Sequence, residues 1–330
     1  MKQGLIFAII VCAVGASLRA QELIPSRQNR LLQDSILVET FDPVVISATR
    51  TKRQLSSLPF PTQLIDKQEI GAIHSMRLTD LLNEQTGLVT VSDFGGGQGI
   101  QMQGLDSQYT LILVNGLPLV GRSAGTLDLS RISVGNIRQV EIVKGASSSL
   151  YGNEALGGVI NIITDTPLKG THGSLNYRGG SNNTHDLSAQ LSLKKDKHSF
   201  QAYANHFQSD GYDLTDSDET QTVEPFDKTT ANLDWSYNYS EQTRILVNTR
   251  LYRQRQDYTA SALLKGASRI DEWNGMLKID HTANNQWTSS LEWYTTRYFA
   301  QEYLNESTRA LFYDSDFDQL FSRPELRTTY

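Results

Sequence analysis

The sequence predicts a mixed fold, with a small α/β domain followed by antiparallel transmembrane β-barrel strands that form a partial barrel. In the stretch Gln139–Thr164, two β-branched runs flank a small-residue turn and a short helical segment. After Pro167 helical periods disappear, and apolar residues alternate with polar ones. Short polar turns also alternate with long loops in this second part, which is typical of barrels that span a membrane.

Composition bounds the class of protein. The chain has 330 residues, a net charge of −6, 38% hydrophobic residues and 20% charged residues. This length suits two folded domains, and the mildly acidic balance argues against nucleic acid as a partner. No window outside the N-terminus approaches the roughly 20 apolar residues of a membrane-spanning helix.

The N-terminus reads as a secretory signal peptide over Met1–Ala20. Lys2 supplies the positive region and Leu5–Ala16 the apolar core, which is short for a membrane span. The alternative is a membrane anchor that stays attached. The one cysteine, Cys12, lies inside this segment, so the mature protein is expected to contain no disulfide.

The central strands follow a series of short elements. A strand is predicted at Gln63–Ile65 and a second one at Leu88–Val91. Helices are predicted at Lys67–Ile73, with a capping-box-like start at Asp66, and at Leu78–Glu84. The glycine-rich loop Phe94–Gly99 lacks the helix and the lysine that a phosphate-binding loop uses, so we expect an exposed loop.

Four segments carry a resemblance to a known family. They are, in chain order, IQMQGL at Ile100–Leu105, YTLILVNGLPL at Tyr109–Leu119, DLSRIS at Asp128–Ser133 and VEIVKGASSSLYGNEALGGVINIIT at Val140–Thr164. In order and spacing they resemble the plug domain of TonB-dependent outer-membrane receptors. The resemblance covers the chain from about Glu39 onward and implies a plug domain inside a β-barrel.

Three positions depart from the family pattern. Gln103 stands where the family usually has Arg, Asn115 where it has Asp, and Ala146 where it has Pro. Asn115–Gly116 still suits a two-residue turn. Gln103 is the more serious departure, because the loss of an Arg could alter how the plug is anchored to the barrel wall.

An extended, β-branched run lies ahead of the plug, after the polar and flexible lead Gln21–Leu37. By resemblance it is the TonB box, a strand that pairs with the energy-coupling protein TonB by β-augmentation. The box comprises Asp42, Pro43, Val44, Val45, Ile46, Ser47 and Ala48. The alternative is an ordinary first strand of the plug. The short stretch between the signal peptide and the box argues against an extra signalling domain ahead of the plug.

The resemblance also implies a ligand site in two plug loops that face the extracellular lumen, Phe94–Gly99 and Val120–Thr126. The candidate contacts are Phe94, Gln98, Arg122 and Ser123. Phe94 offers a stacking surface, and Arg122 offers a positive charge that suits an anionic ligand. The alternative is that both loops only span gaps between strands.

The second part of the chain shows the barrel pattern most clearly at Leu187–Leu193, Ala231–Tyr239 and Leu291–Thr296. The predicted short turns are Lys194–Lys197, Ser240–Gln242 and Asn284–Asn285, and the predicted long loops are Gln208–Lys228, Gln254–Ser268 and Ala300–Pro324. We count roughly eight strands. Eight strands are too few to enclose a plug of this size, so the sequence predicts a truncated chain that holds part of a barrel.

Acidic residues cluster in the first long loop, and oxygen-rich loops of this kind can bind calcium. The candidates are Asp210, Asp213, Asp216 and Asp218. Their spacing does not match an EF-hand, and a hydrated extracellular loop is the alternative. The six histidines are scattered without metal-ligand spacing, and no cofactor is expected.

These patterns predict a signal peptide at 1–20, a lead with the TonB box at 21–54, the plug at 55–167 and barrel strands at 168–330. By resemblance the protein is a Gram-negative outer-membrane receptor, surrounded by lipid, for TonB-coupled uptake of a ferric siderophore, haem or cobalamin. The alternative is a passive structural barrel or adhesin with an N-terminal plug. No acid–base or nucleophile constellation points to an enzyme.

Overall fold

The structure, a computed structural model, describes residues 44–45, 53–58, 61–92, 97–123, 125–145, 148–215, 221–259, 264–284, 287–306 and 311–330. The predicted signal peptide and most of the lead therefore lie outside the described residues. Within these ranges, no helix combines the length and the apolar character needed to cross a membrane.

An α/β domain occupies the first part of the described chain, residues 53–164. Its strands are β2 (Arg53–Gln54), β3 (Thr62–Asp66), β4 (Leu88–Ser92), β5 (Gln98–Met102), β6 (Thr110–Val114), β7 (Leu117–Pro118), β8 (Arg122–Ser123), β9 (Thr126–Leu127), β10 (Ile137–Lys144) and β11 (Gly158–Thr164), and β1 (Val44–Val45) precedes them. Its helices are α1 (Lys67–Ile73), α2 (Leu78–Asn83) and α3 (Ser148–Tyr151), and the 3₁₀ turns are Leu55–Ser57, Ser107–Tyr109, Leu129–Arg131 and Asn153–Ala155.

The central sheet of this domain has the order β3-β10-β11-β6-β7. The β6 and β11 strands run parallel, whereas the other neighbours are antiparallel. The sheet is buried on both faces, which explains why β10 and β11 read as nearly continuous apolar runs. One face packs against α1 and α2, and its core includes Ile65, Ile70, Leu81, Leu82, Val140, Ile142 and Ile160. The opposite core comprises Leu111, Leu113, Val143, Ala155 and Val159.

Local chemistry accounts for the ends of these elements. The Asp66 carboxylate accepts hydrogen bonds from the backbone N–H groups of Gln68 and Glu69, so it caps α1 as predicted. Asn115 and Gly116 both have positive φ angles, of 52° and 83°. They form the predicted two-residue turn, because a turn of this type requires left-handed backbone at both positions.

Eight long antiparallel strands form a second sheet, here called the barrel sheet, in strictly sequential order. They are β12 (Gly170–Gly180), β13 (Thr184–Lys195), β14 (His198–Ser209), β15 (Phe226–Asn238), β16 (Thr243–Thr259), β17 (Leu264–Thr282), β18 (Thr288–Glu306) and β19 (Leu311–Thr329). The count matches the prediction, and the fold is a partial barrel. In the described residues β12 pairs only with β13, and β19 only with β18.

The two faces of the barrel sheet differ as the alternation predicts. The inner face packs against the α/β domain and buries Tyr203, Asn205, Arg250, Glu272, Asn274, Tyr294 and Tyr298. The outer face exposes Leu187, Leu191, Leu233, Leu251, Trp273, Leu277, Leu291 and Trp293. Aromatic rings near the turn that follows β15 stack on one another, with Trp235 and Tyr237 centroids 6.0 Å apart.

Two predicted long loops are mostly strand. The predicted loop Gln254–Ser268 continues β16 to Thr259 and re-enters β17 at Leu264, and the predicted loop Ala300–Pro324 belongs largely to β18 and β19. The sequence expectation was wrong here because it ended each strand where apolar alternation ended. Backbone pairing needs no apolar face where a hairpin rises into water, so polar strands remain paired. At about 3.3 Å per residue, the 19-residue strands far exceed the 9 to 11 residues of a membrane span.

Candidate functional site

The contact between the α/β domain and the barrel sheet centres on the segment Asp128–Ser133. Arg131 lies in a 3₁₀ turn that the Asp128 carboxylate caps by accepting from Ser130 N–H. The Arg131 side chain is fully buried, and its Nη1 donates to Glu272 Oε2 at 3.2 Å. Its Nη2 donates to the carbonyl of Val120 at 3.0 Å. One guanidinium therefore ties the turn to a neighbouring loop and to β17.

A second cation shares the same carboxylate. Arg250 Nη1 donates to Glu272 Oε1 at 2.7 Å, and Arg250 Nη2 donates to the Arg131 carbonyl at 3.3 Å. Asn274 Nδ2 donates to Glu272 Oε1 at 2.6 Å. Glu272 is fully buried, so this arrangement of charged and polar donors is what compensates its burial. Burial acts to lower the pKa of Arg131, but attraction by Glu272 and other groups outweighs it, and that pKa is raised.

Arg77 forms a second anchor close to the first, because it pairs with Ser133 in an isolated β-bridge. Its Nη1 donates to Asn205 Oδ1 on β14 at 3.1 Å, and its guanidinium carbon lies 4.0 Å from the centroid of the Phe207 ring. The Asp186 carboxylate lies 3.9 Å from Nη2, too far for a hydrogen bond. Burial lowers the pKa of Arg77, and the attraction of Asp186 opposes that shift.

Neutral contacts complete this interface. The hydroxyl groups of Ser133 and Tyr203 lie 2.7 Å apart, and the Tyr294 hydroxyl donates to the Pro118 carbonyl at 2.9 Å. Gly121 has a φ of +86°, and a Cβ there would lie 2.3 Å from an atom of the Tyr298 ring. The loop Pro118–Gly121 therefore fits the barrel sheet only because position 121 has no side chain.

Two residues of the predicted TonB box are described, and they are paired within the chain. Val44 and Val45 lie antiparallel to Gln54 and Arg53. Val45 is fully buried, whereas Val44 is 47% exposed. Gln139 Nε2 donates to the Val44 carbonyl at 3.3 Å. Asp42, Pro43, Ile46, Ser47 and Ala48 lie outside the described residues.

The structure brings part of the predicted ligand loops together. Gln98 is exposed at the start of β5, and its backbone N–H donates to Asp128 Oδ1 at 3.0 Å. Ser123 pairs with Thr126 in the β8–β9 hairpin, which contacts β5. Phe94 lies outside the described residues. The ligand assignment stays a prediction for all of these positions.

Arg122 is fixed by the protein's own backbone. Its Nη1 donates to the carbonyls of Ser107 and Gly125 at 3.1 and 3.2 Å, and its Nη2 donates to the Thr110 carbonyl at 3.0 Å. Glu154 lies 3.7 Å away as an ion-pair partner, and the Arg122 side chain is 18% exposed. Burial lowers the pKa of Arg122, and Glu154 raises it in part. In the structure the Arg122 guanidinium therefore holds the β8–β9 hairpin in place.

Arg122 also borders a cavity of about 470 Å³ between the α/β domain and β19. The cavity combines apolar rings with polar groups of both signs. Its lining includes Leu113, Gly121, Tyr151, Glu154, Phe317, Gln319, Phe321 and Arg323. The domain side and the sheet side are linked by a hydrogen bond from Gly121 N–H to Gln319 Oε1 at 3.2 Å.

The described part of the acidic loop uses its carboxylates for loop geometry. Asp213 Oδ1 accepts from Thr215 N–H at 2.9 Å and from Thr222 Oγ1 at 3.2 Å, and Asp210 accepts from Asn183 at 3.2 Å. Asp216 and Asp218 lie outside the described residues. Among residues that are described, no group of three or more His, Cys, Asp or Glu could hold a metal ion. Calcium binding stays a prediction.

Sequence reasoning did not identify the anchor residues. DLSRIS served only as a mark of resemblance, although its arginine is the most enclosed cation of the interface. The alternation of residues in the barrel strands could have identified two of these anchor residues. Alternation places Glu272 and Arg250 on the inner face, opposite the outward Trp273 and Leu251, and charged residues that face a packed domain need partners.

Comparison with known proteins agrees with this geometry. Residues 54–159 match the family model of the TonB-dependent Receptor Plug Domain. That match covers the helices, the Asp128–Ser133 segment and the strands of the sheet up to the start of β11. It begins at β2 and ends within β11.

Solved structures extend the likeness to the barrel sheet. A mutant of the ferric enterobactin receptor PfeA from Pseudomonas aeruginosa matches 81% of this chain at 17% identity, with a TM-score of 0.67 over 46% of that chain. The siderophore receptor PiuA from Acinetobacter baumannii matches 84% at 14% identity, with a TM-score of 0.66 over 43% of its length. The alcaligin receptor FauA from Bordetella pertussis matches 86% at 15% identity, with a TM-score of 0.61 over 55% of that chain. This chain thus spans less than half of the length of the first two proteins, and the likeness is one of fold.

Proposed function

We propose that this chain, which carries a TonB-dependent receptor plug domain at residues 54–159, forms the plug and eight barrel strands of an outer-membrane receptor for iron-chelate uptake. One observation carries the proposal. The plug is held against the inner face of an amphipathic sheet by a buried Arg131–Glu272–Arg250 network. A sheet with one apolar face and one polar face is typical of a barrel wall in a membrane, and here the polar face binds the plug.

The nature of the ligand is a finer part of this proposal. The receptors with a similar fold are named for ferric enterobactin, a siderophore and alcaligin. We therefore propose a ferric siderophore rather than haem or cobalamin. The site is proposed at the loops that contain Phe94, Gln98, Arg122 and Ser123, where the described hairpin β8–β9 contacts β5.

The TonB box is the proposed point of energy coupling. TonB would add a strand to the run Asp42–Ala48 by backbone hydrogen bonds. In the structure Val44 and Val45 already pair with β2, and Gln139 holds the Val44 carbonyl. TonB binding at these two positions therefore requires their release, and release exposes the buried Val45 side chain.

Force on the box then acts on a plug with two charged anchors. Moving the plug away from β17 separates Arg131 from Glu272, and moving it away from β14 separates Arg77 from Asn205. Breaking a buried ion pair costs about 3–5 kcal/mol, which thermal motion supplies rarely and an energised partner can supply. The anchors thus suit a plug that stays closed until coupling occurs.

Uptake of radioactive iron tests the proposal. Cells of a Gram-negative host that lack their own siderophore receptors would carry the full-length protein. They would be offered 55Fe on a catecholate or on a hydroxamate chelator. We expect accumulation that requires TonB and an energised inner membrane for one of these chelates. Iron uptake that is unaffected by deletion of TonB would favour the passive barrel. Uptake of haem or cobalamin, without uptake of iron from either chelate, would refute the siderophore assignment.

A further inference from the structure

A chain of hydrogen bonds connects one of the predicted ligand loops to the barrel sheet through Asp128. Asp128 Oδ1 accepts from the backbone N–H of Gln98 at 3.0 Å. Its Oδ2 accepts from Ser130 Oγ at 2.9 Å, and Ser130 Oγ accepts from Lys228 Nζ on β15 at 2.8 Å. The Ser130 hydroxyl uses its proton toward the carboxylate and a lone pair toward the ammonium group. The carboxylate is therefore supported from the barrel wall while it holds the loop.

Charge strengthens this connection. Hydrogen bonds in which one partner is ionised are roughly twice as strong as neutral ones, and here the barrel donor is an ammonium group and the plug acceptor is a carboxylate. The charges of Asp128 and Asp80 stabilise the Lys228 ammonium, whereas those of Arg77 and Arg131 destabilise it. Lys228 is therefore a cation of the barrel wall that depends on carboxylates of the plug.

The described end of the loop fits closely against the same carboxylate. A Cβ at Gly97 would lie 3.1 Å from Asp128 Cβ, and a Cβ at Gly99 would lie 2.6 Å from Thr126 Cγ2 on β9. Gln98, between these two glycines, is exposed. The backbone at Gln98 is thus fixed while its side chain remains accessible, which is the arrangement that a preorganised binding residue requires.

We propose that Asp128 is a positioning residue for the siderophore site. It holds Gln98 where Gln98 meets the ferric siderophore, and Lys228 supports Asp128 from the barrel through Ser130. Neither Asp128 nor Lys228 touches the siderophore. The inference rests on the receptor function and on the assignment of Gln98 proposed above. Because coupling between two sites is reciprocal, a siderophore bound at the positioned loop also strengthens the contact between Ser130 and Lys228.

The variant Ser130→Ala tests this role, because it breaks the chain by removing one oxygen and no charge. Two quantities are measured on the full-length protein in detergent. They are the amide hydrogen exchange of the peptide that contains Gln98, and the Kd for 55Fe held by a catecholate or a hydroxamate chelator. Loss of a hydrogen bond to a charged group predicts about ten-fold faster exchange and about ten-fold weaker binding. Ser130→Thr keeps the hydroxyl and should restore both values.

Ser133→Ala is the matched control. The Ser133 hydroxyl lies in the same segment and contacts the Tyr203 hydroxyl on the barrel wall at 2.7 Å, but it has no link to Gln98 in the described contacts. This variant should loosen the plug to a similar extent and leave both the exchange at Gln98 and the Kd unchanged. If Ser133→Ala weakens chelate binding as much as Ser130→Ala does, the effect comes from a looser plug, and the positioning role is wrong.

A double-mutant cycle separates positioning from direct contact. If Lys228 acts only through Ser130, the double variant Lys228→Met/Ser130→Ala should bind the chelate no more weakly than the weaker single variant. Additive losses would mean that Lys228 touches the chelate itself, which would overturn the proposal.

The two measurements also separate this proposal from the receptor function. If neither chelate binds the unmodified protein, the receptor function fails, whereas unchanged exchange at Gln98 in Ser130→Ala refutes the support of the loop by itself. Faster exchange at an unchanged Kd would show that the chain holds the loop without positioning a siderophore contact. That result would overturn the role of Asp128 and leave the proposal of iron-chelate uptake intact.

Discussion

Removal of the shared carboxylate is the sharpest test of how the plug is held. In Glu272→Gln the side chain keeps its shape but loses its charge, so Arg131 and Arg250 lie buried without an anion between them. Both guanidinium groups currently donate to this carboxylate, at 3.2 and 2.7 Å. Loss of one partner from a buried ion pair typically costs about 3–5 kcal/mol. We expect a loss of this size in the free energy that keeps the plug seated.

The measurement is a urea titration of the full-length protein in detergent, with tryptic cleavage of the plug as the readout. A denaturant slope of about 2 kcal/mol per M converts the expected loss into a fall in midpoint of about 2 M. The barrel itself should keep its resistance to heat in gel electrophoresis, because its backbone pairing is unchanged. The double variant Glu272→Gln/Arg131→Met completes a double-mutant cycle that isolates the coupling between the two residues.

Asp271→Asn is the matched control on the neighbouring position of the same strand. Asp271 faces outward and pairs with Arg253 at 2.8 Å, with both side chains more than half exposed. An exposed pair contributes little to stability, so the midpoint should hardly move. If Glu272→Gln and Asp271→Asn shift the midpoint equally, or if the cycle yields a coupling below about 0.5 kcal/mol, the anchor role of Glu272 is wrong.

Three further predictions follow from the plug. Val45→Pro removes a backbone donor and distorts the extended run, so uptake should be lost while siderophore binding at the cell surface persists; normal uptake would contradict the TonB-box assignment. Gly121→Ala forces a Cβ into the Tyr298 ring and should release the plug at lower urea, whereas Gly71→Ala, with open space around its Cβ, should not. Arg122→Ala should weaken binding of an anionic siderophore; if plug cleavage rises while affinity stays constant, Arg122 has only a structural role.

The sequence predicted the elements whose local chemistry is strong. The Asp66 cap, the Asn115–Gly116 turn and the eight alternating strands all depend on residues within a few positions of one another. The strand ends between β16 and β19 were mispredicted, because backbone pairing above the apolar region leaves no hydrophobic period. Local pattern thus describes what a strand faces, but it does not describe how far two polar strands remain paired.

The anchors could not be read in the same way, because their partners lie far apart in the chain. Arg131 and Glu272 are separated by 141 positions. The expected effect of Gln103 on plug anchoring also depended on a distant contact. Gln103 is exposed in a turn with a φ of 54°, and the described anchors are Arg77 and Arg131 instead. The anchor roles of Arg77 and Arg131 depend on which residues lie close in the folded chain, and residue type alone does not indicate this.

The presence of Arg250 on the wall has a consequence for any passage that opens. In the receptor proposed above, a plug that leaves the wall takes Arg131 with it, whereas Arg250 is part of β16 and stays beside Glu272 on β17. The exposed wall at this point is then an electrically neutral pair that water can hydrate, rather than a bare carboxylate. Under the proposed uptake of a ferric siderophore, a negatively charged cargo would therefore meet Glu272 already paired with a cation, and the returning Arg131 would meet a carboxylate still held by Arg250 and Asn274.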